Sequence, residues 1–426
     1  MNRYEQMIRR LQDSTAMDWL QYLYGSRNGT LLQQKARYTA ALKKHEELFG
    51  TDEDIRLVSA PGRTEIGGNH TDHNRGKVLA AAVNLDTLVA VTPRSDMTVH
   101  LISEGHGACT VDLNDLSPKA EEKGKTASLI RGVAARMAEY GKRIGGFDAY
   151  VQSTVAAGSG LSSSAAFEVM ISAVLDELYN GFSLDFRDQA KIGQYAENVY
   201  FGKPSGLLDQ MASAAGGLVA VDFKYDDPEV HRLNYSFDAK GYQLVVVATG
   251  GSHEDLTDCY AAIPAEMKQV AEALGGQVLR NVRADEFFQA LPNLYGKVPD
   301  RALLRAFHFF GENNRVTRQV EALEQDDLMA FLWEIICSGR SSYMYLQNVY
   351  PTPVDQSLSL ALAMAETLLT NCNGAWRIHG GGFAGTTLNF VPQNETPEFI
   401  RTMESVFGDR CCHVLSIRPQ GAAVLR

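Results

Sequence analysis

Near the middle of the chain a strand-like run passes through a small-residue loop into a helix-like run, an order that only a mixed α and β fold accommodates. Phe147-Asp148-Ala149-Tyr150-Val151-Gln152-Ser153-Thr154-Val155 alternates apolar and polar side chains, and Ala165 to Leu178 repeats its apolar residues at helical spacing. Between them lies Ala156-Ala157-Gly158-Ser159-Gly160-Leu161-Ser162-Ser163-Ser164. Glycines let the backbone curl so that successive N–H groups converge on an anion, and the helix that follows adds its positive end. The passage therefore reads as a phosphate cradle. It is neither of two common nucleotide loops: no Lys follows the glycines as in GxxxxGK[ST], and GxGxxG fails at Ser163. An ordinary turn capping a helix would use the same residue types.

The rest of the chain is organised around this passage. Ile8, Leu11, Leu20, Leu23, Leu31, Leu32, Leu42 and Leu48 form a broken stripe that predicts two or three short helices over residues 1–50. Apolar runs between Ile55 and Val91, then Val99 to Ser103, Leu244 to Ala248, Thr386 to Val391 and His413 to Ile417 predict strands, and Val354 to Leu369 predicts a helix. A length of 426 residues suggests two or three domains at about 150 residues each. Lys224-Tyr225-Asp226-Asp227-Pro228 breaks the pattern, so the division is expected near residues 225–240. A formal charge of −11 without a basic block lacks the footprint of a nucleic-acid binder. No apolar run reaches the roughly 20 residues that span a bilayer, and the start, Met-Asn-Arg-Tyr-Glu, carries no signal-peptide pattern. Cys109, Cys259, Cys337, Cys372, Cys411 and Cys412 include no CxxC pair and read as reduced thiols. A cytoplasmic protein is expected.

Three further stretches are dense in chemistry. Gly62-Arg63-Thr64-Glu65-Ile66-Gly67-Gly68-Asn69-His70-Thr71-Asp72-His73 packs glycines, a cation, imidazoles and carboxylates together, which suits a polyhydroxy ligand. His70, Asp72 and His73 could instead hold a metal, but no third cluster at zinc spacing accompanies them. In Pro204-Ser205-Gly206-Leu207-Leu208-Asp209-Gln210-Met211-Ala212-Ser213 an Asp stands among apolar residues, where it is costly unless capped, paired or used. His379-Gly380-Gly381-Gly382-Phe383-Ala384-Gly385 is a second glycine-rich turn between strand-like runs, and His379 reads either as facing the site or, slightly preferred, as a structural residue. His45, His100, His106, His231 and His308 have no motif around them, and His253 precedes Tyr260 by seven residues.

Taken in order, these stretches resemble the galactokinases, within the GHMP small-molecule kinases that also include homoserine, mevalonate and phosphomevalonate kinases. The resemblance runs from about residue 31 to the C-terminus. It takes in Ser59-Ala60-Pro61-Gly62-Arg63, the loop from Gly158 to Ala166, Ala196-Glu197 through Asp209-Gln210, the turn from Gly380 to Gly385 and Arg418-Pro419-Gln420-Gly421-Ala422. It implies an α/β fold of α+β type with two domains, 31–235 for sugar and phosphate and 236–426 C-terminal, with the active site between them and a helical extension over 1–30. It also implies transfer of the γ-phosphoryl of ATP, with Mg²⁺, to the anomeric hydroxyl of galactose. On the matching positions, Asp209 would accept or orient the hydroxyl proton and Arg63 would keep Asp209 ionised. Asn69, His70, Asp72, Gly206 and Tyr260 would grip the sugar. Gly158, Ser159, Gly160, Leu161, Ser162, Ser163 and Ser164 would hold the phosphates, with Ser164 and Glu197 on Mg²⁺. No macromolecular partner is implied, and the chain is read as a monomer or weak homo-oligomer.

Departures from the family pattern concern the substrates. Where the family has Gly-Glu-His-x-Asp-Tyr, this chain has Gly68-Asn69-His70-Thr71-Asp72-His73. An amide tolerates a C6 carboxylate that a Glu would repel, so a C6-altered sugar such as galacturonate is an alternative substrate. Thr126 and Leu129 stand where a Trp and a Tyr often lie near the base, and Ala261-Ala262-Ile263-Pro264 lacks the basic residues usual after the Tyr260 position. A sugar and ATP sensor without turnover is the other alternative, against which stand the intact Ser164-Ala165-Ala166, Asp209 and Arg63.

Overall fold

The computed structural model describes residues 2–25, 29–50, 54–155, 160–251, 256–383 and 385–425. In chain order its strands are β1 (Arg56–Gly67), β2 (Lys77–Pro93), β3 (Thr98–Ser103), β4 (Gly107–Asp112), β5 (Phe147–Ser153), β6 (Leu218–Asp222), β7 (Glu229–Leu233), β8 (Tyr242–Ala248), β9 (Ala375–His379), β10 (Thr386–Pro392), β11 (Cys412–Leu415) and β12 (Ala423–Leu425). They form two sheets. The first runs β12-β1-β2-β5-β3-β4, with β6 on β2 and β7 on β6, and the second runs β11-β8-β10-β9. All pairings are antiparallel except β3 with β5.

Leu88-Val89-Ala90-Val91 in β2 reads as an unbroken apolar run because both faces of the first sheet are covered. Val89 and Val91 pack with Ile130, Val133, Val169 and Met170 from helices Thr126–Glu139 and Ser163–Asn180. Leu88 and Ala90 point the other way, onto Leu20, Leu23, Tyr24 and Tyr38. Those residues belong to helices Ser14–Tyr24 and Thr30–Phe49, which with Arg3–Arg10 are the expected N-terminal helices and form a layer of the first sheet. Asn2 and Glu5 close a capping box on the first of them.

Between the sheets lies a shared apolar cluster, with Ile66, Leu79, Ala81 and Val83 from one side and Leu244, Val246, Phe331, Leu388 and Phe390 from the other. Helix Leu328–Ser341 packs on β9, and Thr257–Ala273, Ala284–Leu294 and Asp300–Glu324 build a separate cluster around Met267, Phe287 and Phe309. The strand expected from His413 to Ile417 stops at Leu415 because the chain turns to the first sheet, where Ser416 N–H donates to Asn84 Oδ1 and Ile417 bridges Val83. The predicted helix from Val354 starts at Ser357. The first sheet ends at Leu233 and the second begins at Tyr242, but β12 returns to pair with β1.

Strand β1 is irregular at two points. Its register against β2 shifts between Pro61 and Arg63 and again between Glu65 and Gly67. Such bulges re-aim the side chains beside them.

Candidate active site

Arg63 lies just past the first of these shifts. Its Nε donates to Asp209 Oδ1 at 2.7 Å, its Nη2 lies 2.6 Å from the same oxygen, and its Nη1 donates to the Gly160 carbonyl. Asp209 sits in the first turn of helix Leu208–Ala215, where unpaired N–H groups favour a carboxylate. Its Oδ2 accepts from the Ser162 hydroxyl. Burial alone would raise this carboxyl's pKa, but the Arg63 charge and the Ser162 hydrogen bond hold it below its usual value. The side chain remains 31% exposed, so the carboxylate can be reached from outside.

Ser162 is read from the sequence as a phosphate ligand; the structure turns its hydroxyl to Asp209. It stands at φ 62° and ψ 65°, just before helix Ser163–Asn180, and its side chain makes no capping bond. Gly160 approaches the second glycine-rich turn so closely that a Cβ there would meet Thr386 Oγ1 at 2.5 Å and His379 Nδ1 at 2.9 Å. Ser163 and Ser164 open the helix, whose free N–H groups suit an anion. Gly158 and Ser159 lie outside the described residues, as does His253.

Ser164 Oγ donates to Glu197 Oε1 at 3.0 Å. Helix Phe186–Tyr195 widens at this point into a π turn, Ala196–Phe201, which buries Glu197 against Ser205 and Gln210. Gln210 also donates to Glu168, which is fully buried; burial and then the nearby Glu197 charge raise the Glu168 pKa well above its ordinary value. Glu168 and Lys203, the latter on Glu197, stand outside the residues that the sequence marks as candidates.

On the sugar side, Gly206 abuts Asp72 so closely that a Cβ there would collide with Asp72 Oδ2. Asp72 Oδ1 accepts from the His73 N–H at 2.9 Å. His70 Nε2 lies 3.0 Å from the Gly381 carbonyl, which fixes the proton on Nε2 and leaves Nδ1 as an acceptor. Burial pushes its pKa down to about 4, so the ring is neutral near pH 7. Tyr260 donates to the Gly382 carbonyl at 3.0 Å and stands edge-on to Phe383; burial raises its pKa to about 12. His70 and Tyr260 thus hold the turn after His379, itself buried between the Thr64 and Thr386 hydroxyls. Among the described residues no group of three or more His, Cys, Asp or Glu could hold a metal, which leaves the His70, Asp72 and His73 metal reading without support.

Asn69 differs from the expectation for a sugar ligand. It is fully buried and its amide is saturated: Nδ2 donates to Glu65 Oε1 at 2.9 Å and to the Gly380 carbonyl at 2.7 Å. Oδ1 accepts from Asn348 Nδ2 at 2.8 Å and Ser342 Oγ at 3.4 Å. His308 Nε2 lies 2.9 Å from its backbone carbonyl. His308, Asn348, Glu65 and Arg377 belong to this network without having been found as candidates by sequence reasoning. Only Glu65 lies inside a stretch dense enough in chemistry to have signalled it.

Two family models match the chain: the galactokinase galactose-binding signature over residues 43–93 and the GHMP kinases N terminal domain over residues 128–217. A galactokinase of Streptomyces coelicolor is 32% identical over 370 residues, covering 86% of this chain and 92% of the relative. The human galactokinase is 31% identical over 399 residues, covering 90% and 96%. Among solved structures, Lactococcus lactis galactokinase complexed with galactose superposes with a TM-score of 0.79 at 24% identity, covering 91% of this chain and 99% of that one. A mevalonate kinase superposes at 0.62 and 14% identity over 85% and 99%.

Proposed function

The chain belongs to the galactokinase family of the GHMP kinases, and from that membership we propose that it transfers the γ-phosphoryl of ATP to the anomeric hydroxyl of galactose. The observation that carries this reading is the Arg63–Asp209–Ser162 constellation, a charged carboxylate beside the N-terminus of helix Ser163–Asn180. The sugar oxygen bonds to the γ-phosphorus as the bond to the ADP oxygen breaks, and the hydroxyl proton passes to Asp209. Because that carboxyl titrates below its ordinary value, it first orients the hydroxyl and takes the proton late, as a loose phosphoryl transition state allows. Arg63 offsets charge at the reacting oxygen. His70 Nδ1 and the Asp72 carboxylate accept sugar hydroxyls, with Gly206 and Tyr260 shaping the same side.

Magnesium belongs to the proposal. Glu197 and Ser164 offer the hard oxygens Mg²⁺ prefers, and Glu197 already draws a cation, the Lys203 ammonium. With no three-residue cage among the described residues, such an ion would share its shell with phosphates and water. When bound it neutralises phosphate charge. The helix start at Ser163, together with Gly158 to Leu161, receives the phosphates. The division into 31–235 and 236–426, with β12 crossing back, and a cytoplasmic location are parts of the same proposal; six free thiols support a reducing compartment.

The saturated Asn69 amide removes the feature that pointed to a C6 acid, since no donor or acceptor position on it is left for a C6 carboxylate. The test is ADP release with Mg-ATP against galactose, galacturonate, N-acetylgalactosamine, glucose, arabinose and no sugar. Turnover on galactose is expected to exceed that on every other sugar, and Asp209→Asn to lower it by about 1,000-fold or more while ATP still binds. Faster turnover on galacturonate would transfer the assignment to a C6 acid. Silence across the panel with both ligands bound would leave a sensor.

A further inference from the structure

Lys203 makes an unusual contact for a residue at the rim of a nucleotide site. Its backbone N–H and that of Gly202 both donate to the Glu197 carbonyl, at 3.1 and 3.0 Å, closing the π turn. From that anchor its side chain folds back so that Nζ lies 3.0 Å from Glu197 Oε1, the oxygen that also accepts from Ser164. The opposite oxygen, Oε2, is held from inside by Ser205 Oγ at 2.6 Å and Gln210 Nε2 at 2.9 Å. Every lone-pair direction of this carboxylate is thereby taken. A metal that binds Oε1 has to displace a partner.

The partners differ in how easily they leave. The Glu197 side chain is 3% exposed and is gripped by neutral groups of the fold, whereas the Lys203 side chain is 60% exposed and hangs on a flexible stem. Ser164 needs only to rotate its hydroxyl to present a lone pair. A divalent ion at Oε1 would repel the ammonium, and the nearby phosphates would attract it.

We propose that Lys203 is an exchangeable counter-ion of the metal site, neutralising Glu197 while no metal is bound and turning to the terminal phosphate oxygens of the nucleotide when a metal takes its place. The inference rests on the assignment of Glu197 and Ser164 to the metal. It makes metal and nucleotide binding mutually supportive: metal alone must break the ion pair, while metal with nucleotide gives the ammonium a new partner.

The test is direct Mn²⁺ binding to the full-length protein, without sugar or nucleotide, followed by electron paramagnetic resonance. Lys203→Met is expected to bind Mn²⁺ about tenfold more tightly than wild type, and Lys203→Arg to stay within about twofold of it. With Mg-ATP the order reverses, and the KM for ATP of Lys203→Met rises about fivefold or more. No gain in Mn²⁺ affinity for Lys203→Met overturns the proposal, whether both proteins bind equally or neither binds measurably. Glu197→Gln separates this from the underlying assignment: wild-type Mn²⁺ affinity in that variant would remove the metal from Glu197 altogether.

Discussion

Ser162 holds a left-handed backbone conformation that a β-carbon makes unfavourable, and its hydroxyl is spent on Asp209 rather than on the helix it precedes. A hydrogen bond to a charged acceptor contributes about 1.5–3 kcal/mol, so Ser162→Ala should lower kcat/KM about tenfold or more. The sign of the pH effect is set by the charge. Burial raises the Asp209 carboxyl while Arg63, Ser162 and Lys203 lower it, with a net lowering, so removing the hydroxyl must move the acid limb of kcat/KM to higher pH. An acid limb unchanged from wild type would show that the hydroxyl does not tune Asp209. Arg63, Asp209 and Gly206 were legible because the residue types at those positions are themselves chemical statements. Asn69 is singled out as a sugar ligand, but the burial of its amide was not legible. Its burial is decided by Ser342, Asn348 and Gly380, far along the chain.

At the scale of elements, apolar period located the helices and strands well, including those beyond the family resemblance. Period could not show the π turn at Ala196–Phe201, which carries the buried Glu197. Nor could it show what the extension does. Tyr24, the last residue of helix Ser14–Tyr24, donates to the buried Asp86 at 2.5 Å, joining Arg37 from the next helix and Arg418 from the C-terminal motif. The carbonyl of Arg418 accepts from Gly217 at 2.7 Å, just past the helix that carries Asp209 in its first turn. The extension therefore completes a charge cluster behind the site. Tyr24→Phe should cost about 1–3 kcal/mol and lower the melting temperature by a few degrees, with kcat within about twofold of wild type. Asp86→Ala strands the buried Arg418 guanidinium and the largely buried Arg37 and should cost about 3–5 kcal/mol. Equal melting temperatures for the two variants would contradict this ranking.

Over the whole molecule, the two sheets are joined by the apolar cluster between them and, near the candidate site, by a buried polar seam. Arg377 on β9 donates through Nη2 to Glu65 Oε1 at 2.9 Å and through Nη1 to the Ile66 carbonyl, and neither side chain of the ion pair is more than 6% exposed. Glu312 accepts from the Gly68 N–H at 3.0 Å, adding a second tie to the same β1 terminus. Burial raises the Glu65 pKa and outweighs the opposing pull of Arg377. Arg377→Met leaves that carboxylate without its ion pair and should destabilise the protein by about 3–5 kcal/mol near pH 8. A carboxyl whose folded pKa is raised gives its full stability below the unfolded value and loses it as pH rises through the folded value. Removing Arg377 raises the folded value further, so the deficit against wild type should shrink between pH 8 and pH 5 in urea unfolding. The double variant Glu65→Gln with Arg377→Met should recover most of it at pH 8, because the neutral amide has no charge to strand. A deficit that is the same at both pH values and unrelieved in the double variant would mean that Arg377 ties the sheets through the Ile66 carbonyl and its packing alone, and the charge on Glu65 would then have no part in holding the two halves of the site together.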